Sequence, residues 1–497
     1  MSFYGRRTAP SLLRKDGRRA FQAGNRNVNA LLQDRSHLAL RPKVNTLWAP
    51  RTWRPMDRQR EYVLSTVKER GIRFIRLWFT DVQGFLKSFA ITPAELAVAL
   101  DEGVSFDGSA IDGFSRSHEA DMLARPDPST FQILPFTSGH AGVARMFCDI
   151  VTPDGEPFPG DPRWVLKQTL NRAAELGYSF YVAPEIEFFY FEDSSPATKV
   201  LDQGGYFDLT PLDVAQEYRR STIVALEKLG IPVAFSHHEV SPSQHEIGLR
   251  HTDALTMADT IMTTRLTVKE VAIEHGIYAT FMPKPLEAVD GSGMHLHLSL
   301  FKDDQNAFHD PDADNGLSTE ARGFIAGLLT HASELTAVTN QWVNSYKRLV
   351  TGFDAPIYET WARNDQSALV RIPATKKGKI DSTRIEYRSP DASCNPYLAL
   401  SVILAAGLDG IENELDLPPQ MGSDVLAMSS RERLDAGVRH IPRNLAEAIR
   451  SMESSDLVRD TLGDHVFEWF LKNKKREWAR YEQHVSQYEL EEYLPIL

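Results

Sequence analysis

Pro184-Glu185-Ile186-Glu187-Phe188-Phe189-Tyr190-Phe191 sets two carboxylates two residues apart inside an otherwise apolar run. Side chains alternate across a strand, so residues two apart share a face. Read as a strand, the segment puts Glu185 and Glu187 side by side. Two like charges there repel and are costly to bury unless a cation lies between them. The other reading is a strand end whose carboxylates reach solvent. Gly291-Ser292-Gly293-Met294-His295-Leu296-His297-Leu298-Ser299-Leu300 has the same form. His295, His297 and Ser299 face one way, while Met294, Leu296, Leu298 and Leu300 face a core. One histidine on such a strand is readily structural; two with a serine point to function.

Two further segments carry charge in short runs. His237-His238-Glu239-Val240 and Gln244-His245-Glu246 flank a Ser-Pro-Ser turn, and alone they read as an ordinary polar loop. In Arg384-Ile385-Glu386-Tyr387-Arg388 the three charged residues share a face, and alone they read as a solvated edge strand. Together the four segments supply five carboxylates and at least one imidazole. Hard divalent cations such as Mg2+ prefer oxygen ligands, and an added imidazole suits Mn2+. No CxxC pair or HExxH helix argues for zinc, and no P-loop motif is present to hold ATP. Arg348, Arg371 and Arg388 are candidates for bidentate binding of carboxylates or phosphates.

Outward from these segments, regular patterning begins near Met56. A helix is predicted over residues 61–70, closing at Gly71, then strands over 74–79 and 85–91 around a turn at 81–84. Thr92-Pro93-Ala94-Glu95 reads as a helix start. This predicts a small mixed unit over 56–158, bounded by the Pro/Gly-rich segment 153–162. A larger domain follows over 159–497, with a helical stripe through Leu255, Ala258, Met262 and Leu266. A long charged helix is predicted over 457–485. The 497 residues exceed one ordinary core.

Residues 1–55 carry twelve basic and two acidic side chains, against a net charge of −12 for the whole chain. Such a basic extension reads as a nucleic-acid or membrane arm, a transit peptide, or sequence outside the working protein. The expectation is a disordered or misassigned extension, with Met56 as the natural start and neither nucleic acid nor membrane as a partner. The longest nearly apolar run, residues 397–408, falls short of the roughly 20 residues that span a bilayer and predicts a buried helix. Two distant cysteines, Cys148 and Cys394, fit a reduced cytoplasmic setting.

These residues also carry a likeness. The chain resembles type I glutamine synthetases over essentially everything after Met56, and within them the GlnA2-like actinobacterial branch. The matching motifs are Phe79-Thr80-Asp81-Val82-Gln83-Gly84, Phe106-Asp107-Gly108-Ser109-Ala110-Ile111, Glu119-Ala120-Asp121-Met122, the runs at 184–189, 237–240, 291–297 and 384–388, Phe281-Met282-Pro283-Lys284-Pro285, Asn344-Ser345-Tyr346-Lys347-Arg348-Leu349-Val350 and Asn395-Pro396-Tyr397-Leu398. The resemblance implies an α+β chain: a small N-terminal β-grasp domain, then a large C-terminal catalytic domain with a curved antiparallel sheet and flanking helices. It also implies a homo-dodecamer of two stacked six-membered rings with active sites between neighbours.

The reaction implied is the ATP-dependent joining of glutamate and ammonia through γ-glutamyl phosphate, with two Mg2+ or Mn2+ ions per site. Glu187, Glu239 and Glu246 match the ligands of one ion, and Glu185, His295 and Glu386 those of the other. Arg348 matches the arginine on the substrate α-carboxylate, Arg388 the one near the γ-carboxylate, and Gly291 a backbone contact to glutamate. Arg371 matches a phosphate contact, and His297 with Ser299 a nucleotide contact. Asp107, from the adjacent chain, matches the carboxylate that binds and deprotonates ammonium.

Four positions depart from the family pattern. Asp354 replaces the usual flap Glu, Gln366 an Arg on the transferred phosphoryl group, Asp290 an Asn that contacts glutamate, and Leu415 the Tyr that is adenylylated in enterobacterial-type members. The first two leave a larger amine such as a polyamine as an alternative substrate. A non-catalytic structural member is a second alternative.

Overall fold

The computed structural model describes residues 55–109, 111, 113, 121–136, 142–313, 316–375, 379 and 382–497. The basic extension, Pro55 apart, lies outside them, as do Ala110, Glu119 and Ala120 of the quoted motifs.

After the helix Pro55–Glu69 come strands β1 (Ile72–Thr80), β2 (Leu86–Ile91), β3 (Val104–Asp107), β4 (Asp121–Pro126), β5 (Gln132–Ile133) and β6 (Gly142–Val151). They form a sheet in the order β2-β1-β6-β4-β3, with β5 also on β6. β1 and β6 run parallel and the other pairs antiparallel. Alternation along β1 gives the sheet two buried faces. Ile75, Leu77 and Phe79 pack with Val63 and Val67 in a small core. Trp78 instead joins the main core with Phe147 of β6, rings edge to face at 5.6 Å. The helix expected from Pro93 starts later, at Leu96, because residues 93–95 form a turn.

The larger sheet contains β7 (Ser179–Phe191), β8 (Val233–His238), β9 (Gln244–Leu249), β10 (Thr252–Asp253), β11 (Tyr278–Thr280), β12 (Met294–Lys302), β13 (Gln305–Asn306), β14 (Trp361–Arg363), β15 (Val370–Ile372) and β16 (Ile385–Tyr387). Its main order is β14-β15-β16-β12-β7-β9-β8. All its pairs are antiparallel except β14 with β15. Met294, Leu296, Leu298 and Leu300 point into the core. There the helices Pro162–Glu175, Ala254–Glu274, Thr319–Thr339 and Pro396–Glu412 contribute their apolar residues.

The apolar run at 397–408 is a buried helix, as expected, capped by the Asn395 side chain on Tyr397 N and Leu398 N. Among the described residues no helix is long and apolar enough to cross a membrane. Asn395 Nδ2 also donates to the carbonyls of Asp81 and Val82, tying the small sheet's first turn to this helix. The long C-terminal helix, Asp456–Tyr481, is broken by left-handed Gly463, and a separate helix Gln487–Tyr493 follows.

Candidate active site

Strand register assembles the site. Across the sheet, Arg371 of β15 pairs with Glu386 of β16, and Glu386 with His297 of β12. His295 pairs with Glu185 of β7. Glu187 pairs with Glu246 of β9, and Glu246 with His237 of β8. Directly opposed residues share a face, so three adjacent rows bring Glu185, Glu187, Glu246, His295, His297 and Glu386 to one surface, with Glu239 just beyond the end of β8. β16 is an internal strand and Glu386 is fully buried, which corrects the solvated-edge reading of that segment. The polar-loop reading of 237–246 is likewise corrected, because β8 and β9 form a hairpin and all of β9 is buried.

The acids gather in two groups. Glu185, His295 and Glu386 offer donor atoms within 4.8 Å of one another, and so do His237, Glu239 and Glu246. Glu187 links them: its Oε1 lies 3.7 Å from His295 Nε2, and its Oε2 accepts Gly293 N at 2.9 Å. Burial pushes the Glu187 carboxyl up and Glu239 pushes it further, against His295 and Arg348. Burial together with Glu185, Glu187, Glu239 and Glu386 pushes Glu246 well above the ordinary carboxylate range. Burial also opposes ionisation of Glu185 and Glu386. There the neighbouring His295 and His297, with Arg388 for Glu386, prevail and hold both below that range.

This donor set fits hard divalent cations. Five carboxylates and one imidazole face a common space, two carboxylates are held there against their own repulsion, and the buried His295 Nε2 has no hydrogen-bond partner among the described residues.

A cleft of about 870 Å³ opens over the acids, lined also by Asp290, Gly291, Asp354, Gln366, Arg371 and Arg388. Arg388 donates to Glu386 at 2.7 Å and to Asp354 at 3.0 Å, and Arg371 donates to Glu386 at 2.6 Å. Asp290 Oδ1 accepts Asp354 N at 2.7 Å, holding the loop that carries Asp354. Arg348 lies beneath the cleft floor, bonded to the carbonyls of Ser389 and Arg388. Two positions of the chain beside it are glycine for a steric reason. A Cβ at Gly293 would sit 2.5 Å from Arg348 Nη2, and one at Gly291 2.2 Å from Pro283 O.

A second cavity of about 640 Å³ is lined by Glu185, His297, Ser299 and Arg384, so Glu185 borders both spaces. Arg384 Nε donates to His297 Nδ1, which leaves Nε2–H to donate to Glu185 at 2.8 Å. Asp107, at the end of β3, is exposed and does not line its own chain's cleft. Hydrogen bonds from Ser109 hold its carboxyl below the usual range.

The sequence reading quoted Gln244 and His237 without a role and did not single out Tyr206 and Phe207. Gln244 Nε2 bridges Glu187 and the Gly291 carbonyl at 3.0 and 3.1 Å. His237 donates to Glu239 at 2.7 Å. The stacked rings of Tyr206 and Phe207, 4.0 Å apart, line the cleft from an irregular segment without periodicity.

The family description "Glutamine synthetase, beta-Grasp domain" matches residues 71–153, and "Glutamine synthetase, catalytic domain" matches residues 159–493. The chain is 54% identical over 447 residues to a protein named glutamine synthetase from Mycolicibacterium smegmatis, covering 89% of this chain and 100% of that one. It is 47% identical to another of that name from Thermotoga maritima, covering 87% and 99%. A solved structure titled "GmaS/ADP complex-Conformation 1" superposes with a TM-score of 0.79 at 33% identity, covering 87% of this chain and 99% of that one.

Proposed function

The chain belongs to the glutamine synthetase family, and from that premise we propose how its residues convert glutamate and ammonia to glutamine. It is an ATP-dependent ligase that forms a C–N bond. The relatives favour neither a larger amine such as a polyamine nor a non-catalytic role.

The observation that carries the site reading is the pair of adjoining acidic groups facing a cleft that also holds Arg371 and Arg388. Glu187, Glu239 and Glu246 would hold one Mg2+ or Mn2+ ion, and Glu185, His295 and Glu386 a second. Such ions supply charge neutralisation for phosphate and carboxylate oxygens during in-line transfer. ATP would enter from the side of His297 and Ser299, and Glu185 on the shared wall supports that route. Glutamate would lie along Gly291 and Asp290, with Arg348 toward its α-carboxylate and Arg388 toward its γ-carboxylate. Arg371 would meet the transferred phosphoryl group. Gln366 has no charge to add there.

An amine must lose a proton to attack, and an anionic pocket both attracts ammonium and accepts that proton. Asp354 supplies one carboxylate. Asp107 of a neighbouring copy would supply the other, a reading supported by its exposure and by its absence from the lining of its own chain's cleft. A ring of such neighbours, doubled into a dodecamer, is the assembly this arrangement fits. The buried free thiols of Cys148 and Cys394 suit the cytoplasm.

Phosphate release from ATP, measured with glutamate and Mg2+, tests the reading. Release should require ammonium and yield glutamine. Release independent of any amine, or supported by polyamines and not by ammonium, would overturn it.

A further inference from the structure

We propose that His238 and Asp202 are positioning residues for the Glu239 carboxylate, and so for one of the two cations only. The inference rests on the cation reading above. Both side chains are buried; His238 borders the cleft beside Glu239, and Asp202 lies behind it, outside the cleft lining. His238 Nδ1 donates to the Glu239 carbonyl at 2.7 Å, and Nε2 donates to Asp202 Oδ1 at 3.0 Å. Asp202 Oδ1 also accepts Ser243 N at 2.8 Å, in the turn joining β8 to β9. Ser243 Oγ in turn accepts Leu201 N at 2.6 Å. Gly204 lies against the imidazole so closely that a Cβ there would sit 2.7 Å from Nε2.

The geometry couples this support to the carboxylate through one peptide plane. Glu239 lies just beyond the end of β8, and its Oε2 accepts Val240 N at 3.1 Å. The Glu239 carbonyl and the Val240 N–H belong to the same planar peptide unit. A donor that fixes the carbonyl therefore fixes the N–H that holds the carboxylate. His237 grips the other oxygen, so Glu239 is held at both ends. Among the described residues, no comparable bond from this network reaches Glu185, His295 or Glu386, which stand on β7, β12 and β16.

Asp202, His238 and His245 also come within ligating distance of one another. They do not suit a cation. Arg219 Nη1 donates to His245 Nδ1 at 2.9 Å, so His245 Nε2 carries the proton and cannot ligate. The cluster is a hydrogen-bonded support.

Mn2+ titration of the full chain, followed by calorimetry and electron paramagnetic resonance, tests the inference. Wild type should bind two ions. His238→Ala should weaken one by about 10- to 100-fold, the same ion that Glu246→Ala loses, and leave the other within about twofold. His238→Asn should restore most of the affinity, because its amide nitrogen can reach the Glu239 carbonyl. Asp202→Asn should bind better than Asp202→Ala. Two ions in wild type with both constants unchanged in His238→Ala, or both weakened alike, would overturn the positioning role alone. Fewer than two ions in wild type would overturn the cation reading and this inference with it.

Discussion

Asp354 Oδ1 accepts Nη2 of Arg388 at 3.0 Å, while Nη1 of the same guanidinium binds Glu386 at 2.7 Å. One arginine thus joins the loop over the cleft to a carboxylate of the candidate cation site. The Asp354 side chain is still half exposed, so its second oxygen is available to an amine. Asp354→Asn keeps the size and removes the charge. It should lower kcat/KM for ammonium by about 10²-fold, the scale expected when a reacting group loses its partner, with little change in KM for ATP. Asp354→Glu, longer by about one C–C bond of ~1.5 Å, should retain most ammonium activity. Unchanged ammonium kinetics in Asp354→Asn would remove that residue from the amine pocket.

Glu246 gives a prediction of opposite signs. Burial and four neighbouring carboxylates raise its pKa in the folded chain. A raised carboxyl contributes stability below its unfolded pKa, and that contribution is lost as pH rises through the folded value. Without cations, Glu246→Gln should therefore melt at or above wild type near neutral pH. With Mn2+ the order should reverse, because a ligand that binds only the folded state stabilises in proportion to its affinity. Thermal melts with and without Mn2+ read both effects. A variant that melts below wild type without cations and gains equally from Mn2+ contradicts the assignment. Glu187→Ala, by the same reasoning, should lose turnover while remaining folded.

Alternation alone made Glu185, Glu187, His295, His297 and Ser299 legible, because their strands are long and apolar on the other face. It left Glu386 and Glu239 ambiguous for a physical reason. β16 has three residues, and its burial comes from β12 and β15, whose identity as neighbours is not local information. The family likeness, not the pattern, supplied those roles. The support from Gln244 and the burial of Arg348 under Gly293 depend on chain crossings far apart in sequence. Helix limits slipped where turn chemistry intervened, at residues 93–95 and at Gly463.

His331 predicts a pH effect remote from the site. It bonds Glu334 and Asp409 at 3.0 Å each, linking the helices Thr319–Thr339 and Pro396–Glu412. Burial lowers its pKa, but the two carboxylates outweigh that and raise it above the usual value of about 6.5. Burial raises Glu334, but His331 and Ser455 outweigh it and lower it. The pair's stabilisation is therefore present between the lowered Glu334 pKa and the raised His331 pKa, and is lost as pH rises through the latter. His331→Gln should cost more stability at pH 6 than at pH 9, with turnover unaffected. A cost independent of pH would show that the imidazolium contributes nothing.

The same two helices carry the last prediction. A Cβ at Gly327 would sit 2.0 Å from the Ala406 carbonyl, and one at Gly410 2.0 Å from the Gly323 carbonyl. Both obstacles are backbone, so no side chain can turn aside to make room. The helix Pro396–Glu412 is not free to withdraw either, because Asn395 at its start is bonded to Asp81 and Val82 of the small sheet. Alanine is a better helix former than glycine by about 1 kcal/mol, which favours Gly327→Ala. Overpacking against a fixed neighbour costs about 1–3 kcal/mol or more, and a contact this short belongs at the upper end. The net effect should be destabilisation, read as a lower urea midpoint. Thr330→Ala lies on the exposed side of the same helix and isolates propensity from packing. It should leave the midpoint unchanged or raise it slightly. If Gly327→Ala matched Thr330→Ala, the two helices could not approach as closely as their glycines require.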